Sequence, residues 1–224
     1  MTHLNNELEQ LKRDIIEMWS LVIYQMERAK KSIETFDENL VNEITANERR
    51  VDAFELKIDM DCENILALFN PLANDLRFVL AVLKINYNLE RIGDYAKSIS
   101  SYVKIAKEPF SEEILRETHI ISMFEVTLDM LKCTLESFDL ESNNKAISVF
   151  SKDEYLDQVN REANNMIGEL IKKNSHNIED TLQLLSFIRK LERVGDQTQN
   201  IAEEIIFYLE AKVLKHKKGK EKKS

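Results

Sequence analysis

Leu89-Glu90-Arg91-Ile92-Gly93-Asp94 and Leu191-Glu192-Arg193-Val194-Gly195-Asp196 are two copies of one phrase, each set in a stretch with a helical apolar period. In each copy a Glu and an Asp stand four residues apart, which on a helix places two like charges on one face at a small cost. Each also carries a Gly inside the helix, costing about 1 kcal/mol relative to Ala, and the whole chain has only four glycines. Two local penalties, written twice, need something to compensate them.

The repetition extends beyond the phrase. Shifting the sequence by 102 places Leu83, Leu89, Glu90, Arg91, Gly93, Asp94 and Ile99 on Leu185, Leu191, Glu192, Arg193, Gly195, Asp196 and Ile201. This is an internal duplication. Its units are helical: four Gly, two Pro and 32% charged residues leave little turn chemistry for a sheet. The expected fold is all-α, two tandem, internally duplicated three-helix bundles with six long helices.

Apolar residues from Leu4 through Leu11, Ile15, Met18, Val22, Met26, Ala29 and Ile33 alternate steps of mostly four and three, a bundle-type stripe. This predicts a first helix over about 5–35. A second is expected over 39–68. Asn70-Pro71 then reads as the N-cap and first position of a third, 71–104. The period breaks near Glu108-Pro109-Phe110-Ser111, where Ser111 is expected to cap a fourth helix reaching about 138. The fifth and sixth are expected over 141–173 and 177–213. Boundaries follow: a first repeat over 1–107, a second over 108–211, and a disordered basic tail over 212–224 with seven Lys.

Winding the second segment at 100° per residue puts Glu48, Asp52, Glu55 and Asp59 in one acidic line at the border of the apolar stripe. The duplication makes this testable within the sequence. At an offset of 105, Glu48 and Asp52 become Asp153 and Asp157, while Glu55 and Asp59 become Asn160 and Asn164. Each half therefore offers two acid-x-x-x-Asp pairs on successive helices: Glu48 and Asp52 with Glu90 and Asp94, then Asp153 and Asp157 with Glu192 and Asp196. Oxygen-only donors suit hard cations such as magnesium, calcium, manganese or ferric iron, with zinc accepted when in excess. A bound cation would turn the like-charge cost into a gain, and the Gly would permit close approach. The extra acids predict that the first site holds more cationic charge than the second. The bland alternative is a solvated acidic face paired with Arg49, Arg50, Arg91 and Arg193.

Other classes lack support. Di-iron carboxylate enzymes use Glu-x-x-His pairs, and His3, His119, His176 and His216 lie outside the acidic motifs. The formal charge of −9, with a still more acidic body once the Lys-rich tail is set aside, disfavours nucleic acid. Cys62 and Cys133 show no C-x-x-C spacing and read as free thiols. No signal peptide and no run of ~18 apolar residues is present, so a cytoplasmic protein without membrane insertion is expected.

The duplicated Leu-Glu-Arg-Ile/Val-Gly-Asp, together with Pro71-Leu72-Ala73-Asn74-Asp75-Leu76-Arg77, Asn200-Ile201-Ala202-Glu203-Glu204 and the acid pairs at 48–52 and 153–157, resembles the PhoU family across almost the whole chain. The resemblance implies two similar three-helix bundles, metal clusters on the acid-x-x-x-Asp motifs, and often a homodimer. It implies a non-enzymatic regulator of phosphate uptake and phosphate-starvation signalling. The partners it implies are the ATP-binding subunit of the phosphate ABC transporter and a membrane sensor histidine kinase. A carboxylate-bridged metalloenzyme or metal-storage bundle, and an accessory of a different phosphate transporter, are the competing readings. Ser98 departs from the motif where the second half keeps Asn200, and Leu68-Phe69-Asn70 replaces a more polar run.

Overall fold

The computed structural model describes residues 3–173 and 178–210. Among them the chain forms α1 (His3–Thr35), α2 (Glu38–Phe69), α3 (Asn74–Ser100), α4 (Glu112–Glu117), α5 (Ile120–Asp139), α6 (Asn143–Lys173) and α7 (Ile178–Glu210), with a 3-10 turn at Ser101–Lys104 after α3. The expected basic tail lies outside the described residues.

Three boundaries differ from the sequence reading for local reasons. Asn70 does not begin a helix: it ends α2 in the left-handed region, φ 46°, a conformation that Asn tolerates better than most residues. Pro71 then lies in the connection, and α3 starts only at Asn74. The fourth helix is two helices, because His119 at φ 57° interrupts it. Ser111 does cap α4, accepting a hydrogen bond from the Ile114 backbone N–H.

The helices pack in two layers. Alongside one another run α2, α3, α7 and α6, while α1 and α5 lie behind them, each touching both long helices of its own half and each other. One continuous apolar core fills the space between the layers. The repeat is visible in what is buried: Ile15, Met18, Trp19, Val22, Gln25, Met26, Ala29, Ser32 and Ile33 on α1 correspond, 105 residues on, to Ile120, Met123, Phe124, Thr127, Met130, Leu131, Thr134, Ser137 and Phe138 on α5.

The halves meet mainly through α3 and α7, which run antiparallel. Lys84 pairs with Glu204, and Tyr102 meets the Phe187 ring at 5.5 Å. In repeat register Glu204 occupies the place of Tyr102, and Phe187 that of Ile85. The contact is therefore reciprocal to within one residue, as an approximate two-fold axis between the repeats would give. Midway between positions 84 and 102 stands Gly93, with Gly195 as its counterpart, so both copies of the duplicated phrase sit at the same level of the bundle.

Candidate metal centres

In the first half α2 and α3 run antiparallel, fixed where Asn86 on α3 donates to the Glu55 carbonyl at 2.9 Å and to Asp59 Oδ1 at 2.8 Å. That register carries the 48–52 pair to the level of 90–94. Gly93 is buried, and a Cβ built on it would lie 3.0 Å from Gln25 Oε1 and 3.5 Å from Glu48 Oε2. The bare Cα thus leaves room that two polar side chains border.

Glu48 is only 2% exposed. Gln25 Nε2 donates to its Oε2 at 2.6 Å, and Lys97 Nζ lies 3.7 Å from its Oε1. Burial, and then a hydrogen bond shared with Asp94, push the Glu48 carboxyl up to about 7. Glu90 is also raised to about 7, by burial first and then by Asp94 and Glu55. Glu55 is raised by burial and by Asp59, Asp52 and Asp94. Six carboxyls of the first half thus act on one another, and the shared cause is burial beside like charge.

The second half is tighter. Asp153, Asp157 and Asp196 each offer an oxygen within 4.8 Å of the others, a spacing that could hold one ion. Asp153 is 1% exposed. Glu192 is raised by burial and Asp196, while a hydrogen bond with Asn160 opposes the shift. Gly195 again faces the site: an added Cβ would overlap Leu156 Cδ1 and approach Asp153 Oδ1 to 3.0 Å. So Asn160, uncharged in place of Glu55, serves the second half as a hydrogen-bond partner.

Among the described residues the structure gathers only Asp153, Asp157 and Asp196 closely enough to share one ion, with Glu192 beside them, whereas in the first half Glu48, Glu90 and Asp94 act on one another without closing to that spacing and Asp52 stands exposed. Two of the four neighbouring arginines are engaged elsewhere as well. Arg91 lies over the Tyr87 and Tyr95 rings, at 5.8 and 6.0 Å, and Arg50 pairs with Glu17 at 3.8 Å. Sequence reasoning missed Gln25. Its signal was a polar residue on the buried stripe of the first helix, opposite an apolar Met130 in the repeat.

The PhoU domain model matches residues 15–103 and 120–205, one copy per half. The chain is 29% identical over 214 residues to the phosphate-specific transport system accessory protein PhoU homolog 1 of Thermotoga maritima, covering 95% of this chain and 91% of that one. It is 31% identical over 215 residues to the phosphate-specific transport system accessory protein PhoU of Edwardsiella tarda, covering 95% and 86%. Among solved structures, the phosphate transport system regulatory protein PhoU from Streptococcus pneumoniae superposes with a TM-score of 0.84 at 28% identity, covering 96% of this chain and all of that one. PhoU from Pseudomonas aeruginosa gives the same score at 27% identity, covering 94% and 100%. With both repeats matched and the helical bundle shared from end to end, the chain belongs to the PhoU family.

Proposed function

We propose that this chain is a non-enzymatic, cytoplasmic regulator of phosphate uptake and phosphate-starvation signalling whose acidic patches bind metal ions. The observation that carries the regulatory role is the near full-length likeness to proteins named as accessory and regulatory components of phosphate-specific transport. In this reading the bundle, as a homodimer, relays between the ATP-binding subunit of the phosphate ABC transporter and a membrane sensor histidine kinase. No helix among the described residues is long and apolar enough to cross a membrane, which is compatible with an adaptor that works from the aqueous side.

The donor chemistry fits hard cations. Glu48, Asp52, Glu90 and Asp94 would hold ions in the first half, and Asp153, Asp157, Glu192 and Asp196 in the second. Iron, manganese, magnesium and calcium suit such all-oxygen sets, and zinc could enter when abundant. A cation there supplies positive charge that offsets carboxylate repulsion and ties α2 to α3 and α6 to α7. The fit rests on the close trio of Asp153, Asp157 and Asp196, on the buried Gly93 whose bare Cα is bordered by Gln25 Oε1 and Glu48 Oε2, and on that amide oxygen, which has no hydrogen-bond partner among the described residues.

Two experiments test this. Deleting the gene should derepress phosphate-starvation genes in phosphate-rich medium; unchanged expression would rule out the regulatory role in high-affinity uptake and favour a different phosphate transporter. Elemental analysis after controlled loading should show less metal in a Glu90→Ala/Asp94→Ala/Glu192→Ala/Asp196→Ala variant than in the parent. Equal content would sink the metal sites.

A further inference from the structure

We propose that Gln25, which belongs to no acidic motif, is a positioning residue and neutral oxygen donor of the first metal site; the inference rests on the metal-binding reading above. Gln25 is fully buried in the middle of α1, on a face otherwise occupied by Val22, Met26 and Ala29. Its two amide atoms have different fates. Nε2 donates to Glu48 Oε2 at 2.6 Å, so the amide orientation is set by that carboxylate. Oε1 consequently turns toward the bare Cα of Gly93, and has no hydrogen-bond partner among the described residues.

An unsatisfied buried amide oxygen costs about 1–3 kcal/mol. Packing alone does not ask for it, because the chain shows what packing prefers. The repeat-equivalent of Gln25 is Met130, an apolar residue that is equally buried and belongs to the core. Retaining Gln at 25 makes sense if a cation satisfies the oxygen. Amide carbonyls are regular ligands of hard cations, and Glu48, the acid that Gln25 holds, is hydrogen-bonded to Asp94 one residue beyond the glycine. Gln25 would then do two things: aim Glu48, and complete the donor set without adding negative charge. The second half, with Met130, relies on its close trio of aspartates, so the two sites should differ in their dependence on the back layer of helices.

The test uses Mn²⁺ as the probe, a hard divalent ion whose binding is read by calorimetry and electron paramagnetic resonance. The full chain carrying Asp153→Asn and Asp196→Asn isolates the first site. In that background Gln25→Met, a residue that the chain already accepts at position 130, should weaken Mn²⁺ about 10- to 100-fold, the usual effect of losing an orienting partner. Gln25→Glu keeps an oxygen at the position but cannot donate to Glu48, and should therefore lose less Mn²⁺ affinity than Gln25→Met while falling below the parent. Circular dichroism shows that each variant retains its helix content. If Gln25→Met binds Mn²⁺ as the parent does, Gln25 has no role at the site, and metal binding by the acids stands. If both variants weaken equally, Gln25 only buttresses Glu48 and the donor role is wrong. If the parent background binds no Mn²⁺ at all, both this inference and the metal-binding reading of the first half fail.

Discussion

Lys84 Nζ on α3 lies 2.9 and 3.1 Å from the two carboxylate oxygens of Glu204 on α7, spanning the contact between the halves. Glu204 is 6% exposed, so it depends on protein partners for charge compensation, whereas the lysine side chain remains about half in water. Replacing Lys84 by Ala leaves a mostly buried carboxylate with less compensation. Because water still reaches the lysine end, the loss should be about 1–2 kcal/mol rather than the larger figure for a fully buried pair. Urea unfolding of Lys84→Ala should show a lower midpoint, and Lys84→Ala/Glu204→Gln should recover part of it. Recovery is the informative outcome, since it separates an unpaired charge from lost packing.

Three helical glycines can be ranked by what surrounds them. Gly168 has nothing among the described residues within 4 Å of the Cβ position, so Gly168→Ala should stabilise α6 by about 0.5–1 kcal/mol through helix propensity alone. Gly195→Ala gains the same propensity but drives a methyl into Leu156 and against Asp153. Overpacking of this kind costs about 1–3 kcal/mol, so the net effect should be destabilising. Gly93→Ala should fall between, because the crowded atom is the end of the Gln25 side chain, which can rotate at the expense of its hydrogen bond to Glu48. Thermal melts of the three variants, run together, check the order.

The duplication explains how much of this architecture could be read in advance. Leu89 through Asp94 and their copies fixed the helical class and the repeat, because a period sustained over many residues survives local exceptions. The failures were short and backbone-driven. Asn70 could cap either the helix before it or the one after it, and only the left-handed φ of 46° decides. No composition signal marks the break at His119, where a non-glycine residue takes φ 57°. For the acid pairs the helix face was legible, but partnership across helices was not. That Glu48 is held by Gln25 from a third helix depends on how α1 sits behind α2 and α3, which no spacing within one segment encodes.

The two thiols should behave oppositely. Cys62 is fully buried, and burial followed by Asp59 and Asp61 pushes its thiol up to about 12. Cys133 is half-buried, and Lys152 Nζ sits 3.2 Å from its Sγ. A thiol that solvent reaches is open to a reagent, whereas one fully buried is not. With an aromatic disulfide reagent at neutral pH, the native protein should release about one equivalent promptly, and the second only on unfolding. Cys133→Ser should abolish the prompt phase, whereas Cys62→Ser should leave it intact.

The raised carboxyls of Glu48 and Glu90 predict an unusual pH dependence. Both hold their protons up to about 7 in the folded chain, against 4.5 as ordinary carboxyls. The folded state therefore binds more protons than the unfolded state across that window, and stability falls as pH rises. Their contribution is fully present below about 4.5 and is lost as pH passes through about 7. In chelator, the melting temperature should be lower at pH 8 than at pH 5.5. Other charges titrate as well, so the specific readout is Glu48→Gln: it keeps the side chain neutral at both values and should reduce the difference. Adding Mn²⁺ should act the other way, because a cation competes with the protons and stabilises the ionised carboxylates. The stabilisation by Mn²⁺ should therefore be larger at pH 8 than at pH 5.5, and a gain that is independent of pH would place the ion somewhere other than these two glutamates.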